Sequence, residues 1–317
     1  MQKILLVKTS SMGDVIHNLP VVNDILAARP GAEIDWVVEE SFAGLPKLHP
    51  GVRRVLPVAI RRWRSSWWQA PVRSEIRAFV AELKKWPYDA VVDTQGLLKS
   101  AIVARCACGP RFGLDWKSSR EPLAPFYQRT FSVSWSMHAV QRNRTLAALA
   151  LGYALPERLD YGISAPPASF VWLPSGPYAV LVHPTSARSK LWPDDRWIRL
   201  GQRLEKNGVR SVLPWGNTQE RERADRIALA VPGAVVPPAM SLTDTASLLA
   251  GARGCVGLDT GLTHLAGALK VPTVGVYVAT DPVATGLYGC ARAANLGGIG
   301  APPDVGTVAD AFERLVR

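Results

Sequence analysis

Short apolar runs alternate with longer amphipathic stretches along most of the chain. Residues 3–8 (KILLVK) place four apolar residues between two lysines, and a polar turn (9–14) separates them from an amphipathic segment over 15–28. That order predicts strand, loop and helix. It recurs: strands are expected at 33–38, 52–58 and 90–93. A helix is expected over 71–85, where Ile76, Phe79, Val80 and Leu83 fall near helical spacing. After an aperiodic, Pro-rich stretch (155–177) the alternation restarts. Strands are expected at 178–182, 211–214, 234–236, 255–258 and 272–277, with helices from Pro193, over 218–229 and over 305–316. Strands alternating with helices predict an α/β protein built on parallel sheets covered on both faces. Such sheets bind ligands outside the carboxyl ends of their strands.

The length of 317 residues accommodates two domains. We expect an N-terminal domain over 1–160, a linker over 161–177, a second domain over 178–300 and a terminal helix over 301–317. A hydrophobic fraction of 48% supplies a core of that size. No uncharged apolar run approaches the ~18 residues of a spanning helix, and the first apolar run is too short for a signal-peptide core. The expected compartment is therefore the cytoplasm. Cys106 and Cys108 lie one residue apart while Cys255 and Cys290 are isolated, which fits neither a zinc site nor a disulfide framework. The net charge of +11 is unevenly spread: residues 1–158 carry 22 Lys/Arg against 13 Asp/Glu, and residues 159–317 carry 15 against 13. An anionic partner is expected for the first half in particular.

Three stretches carry candidate chemistry. Cys255–Gly267 reads as a buried strand, a turn at Asp259-Thr260-Gly261, then a helix carrying His264. Unpaired N–H groups at such a helix start suit a phosphate, and Asp259 as an ordinary N-cap is the alternative. The loop after 178–182 offers Thr185, Ser186, Arg188 and Lys190, an anion cradle in chemical terms. Near the N-terminus, Asp14 reads either as a helix cap or as a carboxylate able to take a proton from a hydroxyl; Asp93 reads as structural and His17 as a satisfied surface or interface histidine. Arg53, Arg54, Arg61, Arg62, Trp63, Arg64, Trp67, Trp68, Arg73 and Arg77 form an Arg/Trp stretch, its three tryptophans read as lying in a loop. Arginine suits phosphates and carboxylates, and tryptophan a membrane interface. A solvated loop with its tryptophans tucked under, or a single-stranded nucleic-acid surface, are the alternatives. Lys99, Arg105, Arg111, Lys117 and Arg120 continue the basic character.

The ordered motifs Lys8-Thr-Ser-Ser-Met-Gly-Asp14, Thr185-Ser186…Lys190-x-Trp192-Pro193, Trp215-Gly216…Glu220 and Asp259-Thr-Gly-Leu-Thr-His264 resemble glycosyltransferase family 9 from residue 1 to about 290. The resemblance implies a GT-B architecture, two Rossmann-like parallel-sheet domains facing across a cleft. It further implies inverting transfer of L-glycero-D-manno-heptose from ADP-heptose to the first Kdo of Kdo2-lipid A, with no metal or other cofactor. By that resemblance Asp14 is the general base and Lys190 offsets charge on the leaving diphosphate. Thr185, Ser186 and Lys190 match donor phosphate contacts, and Glu220 and Met240 match nucleoside contacts. Asp259, Thr260, Gly261 and His264 match heptose and diphosphate contacts. Ser186 stands where a second Thr is expected and keeps the hydroxyl. Their charge assigns Arg61, Arg62, Arg64, Lys99 and Arg120 to acceptor binding. The expected state is a monomer peripheral to the cytoplasmic face of the inner membrane, with no nucleic-acid partner. A heptosyltransferase of the same family acting on heptose or another acceptor is the nearest alternative. A non-catalytic nucleic-acid-binding protein is the alternative of another class, and it leaves the motifs of the second half without a role.

Overall fold

The computed structural model describes residues 2–173 and 175–317; Met1 and Pro174, which fall in the expected first domain and linker, lie outside them. The chain forms two compact units, Met1–Ile163 and Ser164–Arg317.

In the first unit the described residues form one six-stranded sheet of β1 (Lys3–Val7), β2 (Glu33–Glu39), β3 (Val52–Val58), β4 (Ala90–Asp93), β5 (Arg111–Leu114) and β6 (Arg129–Phe131). The order is β3-β2-β1-β4-β5-β6, and every pairing is parallel. β1 is central, so Ile4, Leu5, Leu6 and Val7 are fully buried; a strand covered on both faces needs an unbroken apolar run. Among the described residues seven α-helices accompany the sheet: α1 (Met12–Ile16), α2 (Leu19–Ala28), α3 (Gly44–Lys47), α4 (Ile60–Ser66), α5 (Ala70–Lys84), α6 (Leu98–Cys106) and α7 (Ala139–Leu151). β5 and β6 carry no apolar run that announces them. They form by pairing outward from β4, and Gly113 of β5 lies so close to Tyr127 that an added Cβ would sit 2.4 Å from its ring.

The Arg/Trp stretch corrects the expectation of a loop ahead of the helix at 71–85: it forms a further helix, α4, joined to α5 by a turn at Trp67 and Trp68. α4 fully buries none of its residues, and it meets the core only through the partly buried Ile60 and Trp63. Its anchor is Trp63, which donates its indole N–H to Glu75 of α5 at 2.9 Å and packs edge-on against Phe79. The preceding Arg53 and Arg54 converge on the buried Asp35 at 2.9 and 2.6 Å, and Tyr88 adds a 2.8 Å bond to the same oxygen. Burial pushes the Asp35 carboxyl up, but these bonds outweigh it and hold it below its ordinary range. α7 is fixed by Arg144, whose buried guanidinium grips Asp24 of α2 at 2.7 and 2.9 Å. Removing either partner would strand a buried charge at a cost of about 3–5 kcal/mol.

In the second unit the described residues form a five-stranded parallel sheet of β7 (Tyr178–Val182), β8 (Arg210–Val212), β9 (Gly254–Leu258), β10 (Thr273–Tyr277) and β11 (Ala293–Gly297), in the order β11-β10-β9-β7-β8. The strand expected at 234–236 reduces to a single bridge between Val235 and Val212, and β11, unannounced by any apolar run, forms beside β10. The helices are α8 (Asp194–Lys206), α9 (Thr218–Leu229), α10 (Leu242–Ala250), α11 (Gly261–Ala268), α12 (Pro282–Thr285) and α13 (Val305–Val316). α13 belongs to this unit's core, where Val308, Ala309, Ala311 and Phe312 pack with Leu200 and Leu204 of α8 and Val256 of β9. Gly257 lets β9 approach its neighbours closely, since a Cβ there would lie 2.1 Å from the Thr263 hydroxyl. None of the helices among the described residues is long and apolar enough to cross a membrane.

Candidate active site

Each sheet has one place where strand order reverses and the loops of two adjacent strands leave in opposite directions. Ligands of open parallel sheets bind there.

In the first unit the reversal lies between β1 and β4. The loops that follow them are laced together: Gln95 accepts from the Thr9 and Ser10 amides, both at 3.0 Å. Lys99 donates to the Ser10 hydroxyl at 2.5 Å. Asp93 is structural, as read: it is fully buried and accepts from the Gln95 and Gly96 amides and from the Tyr127 hydroxyl. These loops open a pocket of about 230 Å³ whose charged lining is Lys8, Asp14, Arg120 and Arg142. Asp14 is half-buried at the third position of α1. One carboxylate oxygen accepts from the Ser11 amide at 2.7 Å and from the Ser11 hydroxyl at 3.0 Å. The N-cap is therefore Ser11, and Asp14 is the carboxylate that reaches back to it. Lys8 is buried and donates to the Thr94 carbonyl at 2.8 Å and to Asn143 at 3.2 Å. Burial lowers its pKa, against the pull of Asp14 and Asp93. Arg142 lies 3.5 Å over the Trp135 ring, which Arg120 also approaches at 5.4 Å. Its Nε has no hydrogen-bond partner among the described residues. Burial, and then the nearby Arg120, bring its pKa down to about 10. Two guanidinium groups sharing one indole attract an anion.

The reversal of the second unit lies between β7 and β9. Asp259, just past β9, is the hub. Lys190 meets one of its oxygens at 2.7 Å and Thr280 donates to the same oxygen at 2.9 Å, while His264 lies 3.4 Å from the other. Burial pushes the Asp259 carboxyl up, yet the bonds from His264 and Lys190 prevail and hold it far below the ordinary range. Asp259 is thus no helix cap: Thr260 is the N-cap of α11 and Gly261 its first residue. Thr185 donates its hydroxyl to the Asp259 carbonyl at 3.4 Å, and Ser186 is exposed beside it. Glu220, in the first turn of α9, accepts from the Gly216 amide at 2.7 Å. Met240 is half-buried, one residue before the N-cap of α10.

Thr185, Lys190, Asp259 and His264 are therefore joined by direct bonds, and Asp14 and Arg120 share one pocket. Arg61, Arg62 and Arg64 lie on α4 and do not line it. Arg62 is committed to Glu40 and Glu75 at 3.1 and 2.8 Å, and Arg61 lies over the Phe42 ring. Lys99 is spent on Ser10. Arg142, Trp135 and Thr280 are not announced by any motif of the sequence. Thr280 follows a buried strand by three residues, which is a usable signal; Arg142 had none, since its pocket is made by residues far apart in the chain.

The sequence model of "Glycosyltransferase family 9 (heptosyltransferase)" matches residues 76–309. The lipopolysaccharide heptosyltransferase 1 of Pseudomonas aeruginosa is 50% identical over 290 residues, covering 90% of this chain and 81% of that protein. The solved E. coli heptosyltransferase WaaC with ADP is similar at a TM-score of 0.91 and 43% identity, over 99% of this chain and 100% of that one. WaaC with ADP-2-deoxy-2-fluoro heptose gives a TM-score of 0.86 at 42% identity, over 99% of each chain. Three of the four motifs fall on the loops at the strand-order reversals and the fourth follows β8, and the likeness runs through both units: the chain belongs to glycosyltransferase family 9, the heptosyltransferases.

Proposed function

We propose that this enzyme transfers L-glycero-D-manno-heptose from ADP-heptose to the first Kdo of Kdo2-lipid A, with inversion at the anomeric carbon. One observation carries the reading: the pocket at the β1/β4 reversal sets a single carboxylate, Asp14, among Lys8, Arg120 and Arg142. An acceptor sugar that is itself an acid fits such a lining, with cations for its carboxylate and a base for its hydroxyl. One Asp14 oxygen is held by Ser11, which orients the other to take the proton of the attacking hydroxyl.

The donor belongs to the second unit. Its diphosphate meets Thr185, Ser186 and Lys190, its nucleoside meets Glu220 and Met240, and its sugar meets Asp259, Thr260, Gly261 and His264. Lys190 offsets the charge that grows on the departing ADP, the task a divalent cation performs elsewhere, so the transfer needs no metal. The relatives named above support this assignment, being heptosyltransferases solved with ADP or with an ADP-heptose analogue. The exposed Trp67 and Trp68 and the basic residues around them support a station on the cytoplasmic face of the inner membrane, where the lipid acceptor is met.

The test is ADP release from ADP-heptose with and without Kdo2-lipid A, in EDTA. Release that depends on the acceptor and ignores the chelator is expected. Undiminished transfer to an inner-core heptose acceptor lacking Kdo would assign the chain to a different reaction of the family. Absence of ADP binding by calorimetry would remove the donor assignment.

A further inference from the structure

The loop carrying Thr185, Ser186 and Lys190 leaves β7 at His183 and enters α8 at Asp194. Residues 185–191 are half-buried or exposed. On the ligand side the loop is tied by Thr185 and Lys190 to Asp259, bonds for which a bound diphosphate would compete. Its firm attachment is underneath, at a side chain no motif includes. Arg223, on α9, donates from Nη1 to the His183 carbonyl at 2.6 Å and from Nη2 to the Trp192 carbonyl at 2.5 Å. Its Nε donates to Asp194 at 2.7 Å. The side chain is 11% exposed. One planar group thus gathers both ends of the loop, nine residues apart, in a geometry only a guanidinium offers.

We propose that Arg223 is a positioning residue for the donor diphosphate: it closes the neck of the 183–194 loop and so sets where Thr185, Ser186 and Lys190 stand. This rests on the reading of that loop as the donor site. The hydrogen bonds of the guanidinium go to the loop ends and the first residue of α8, whereas the packing of α9 into the core is done by Ala224 and Ile227. Loss of Arg223 therefore frees the loop first. Two buried carbonyls lose their donors, and the neck must open to hydrate them.

The experiment compares Arg223→Met and Arg223→Lys with Ile227→Val, a core change on the same helix. Three quantities are read: amide exchange over residues 184–191, ADP affinity by calorimetry, and the donor and acceptor KM. In Arg223→Met the loop amides should exchange roughly tenfold faster while β7 and β9 keep their protection. ADP affinity should fall and donor KM rise by roughly 10- to 100-fold, with acceptor KM unchanged; Arg223→Lys should recover part of each. Ile227→Val should lower the melting temperature without moving ADP affinity. Wild-type exchange and affinity in Arg223→Met would overturn the proposal, as would an equal loss of affinity in Ile227→Val. Where Arg223→Met does not fold, Arg223→Lys carries the same expectations and the same refutation. A wild-type protein that fails to bind ADP would sink the donor assignment instead, and exchange in the loop would still judge the clamp.

Discussion

At Asp14 the two carboxylate oxygens have different surroundings. Oδ2 accepts from the Ser11 amide and hydroxyl, and Oδ1 has no hydrogen-bond partner among the described residues. Helix support and proton acceptance can therefore be separated by substitution. Asp14→Asn keeps an acceptor for Ser11, so stability should fall by less than about 1 kcal/mol. It cannot take a proton, and kcat should drop by roughly 10²–10⁴ with ADP affinity intact. Full turnover in Asp14→Asn would leave Asp14 as helix support alone. Lys190 is expected to behave otherwise, because in the proposed function it serves the ground state and the leaving group together. Lys190→Ala should weaken ADP binding and lower kcat in one step, while Asp259 retains Thr280 and His264. A variant that loses only affinity would remove Lys190 from the chemistry.

The pair α4–α5 shows how an element redistributes the meaning of a composition. Three tryptophans within six residues looked like one surface, but Trp63 is turned inward against Phe79 and Glu75. Trp67 and Trp68 are 62% and 58% exposed in the turn, and Arg73 fixes that turn by donating to the Trp68 carbonyl at 2.6 Å. Arg64 on α4 and Arg77 on α5 are exposed as well. An exposed indole pair beside free arginines is what an anionic lipid surface binds. Replacing both Trp67 and Trp68 with Ala should weaken binding to vesicles containing anionic lipid by roughly tenfold or more, since each indole buried contributes about 1.5–3 kcal/mol. Turnover on a deacylated acceptor should persist. Vesicle binding equal to wild type would place the membrane contact elsewhere.

For the whole molecule, a buried neutral histidine in each unit couples folding to pH. Burial, opposed by Asp160, brings His49 down to about 4. Burial, aided by Arg223, brings His183 down to about 3. Below the ordinary value near 6.5 the unfolded chain takes up protons that the fold refuses. Each group's contribution is complete above that pH and is lost as pH falls toward the folded value, at about 1.4 kcal/mol per unit. Between pH 6.5 and 5 each unit should lose about 2 kcal/mol, read as a lowered urea midpoint. His183→Gln and His49→Gln should each flatten that slope; an unchanged slope would mean these sites protonate without cost. Asp259 acts in a separate window, its ion pair contributing above the ordinary carboxyl pKa and failing only in stronger acid.

The sequence by itself determined the two parallel sheets, because a strand covered on both faces needs an unbroken apolar run and β1, β7, β9 and β10 each have one. It also determined the family, through motifs that recur in one order in the loops that follow β1, β7, β8 and β9, and with it a catalytic rather than a nucleic-acid-binding role. Burial of a residue among its chain neighbours is written locally, so periodicity can report it. Charge cancellation is not. Arg53 and Arg54 are absorbed by Asp35, and Arg62 by Glu40 and Glu75, so where the basic surplus acts is decided by pairing and not by where arginines cluster in the chain. Only the tertiary structure brought Arg120 and Arg142 onto one indole, Thr280 onto Asp259, and Arg223 beneath the 183–194 loop. Those contacts join residues tens of positions apart, and no local pattern encodes a partner that the fold alone brings near.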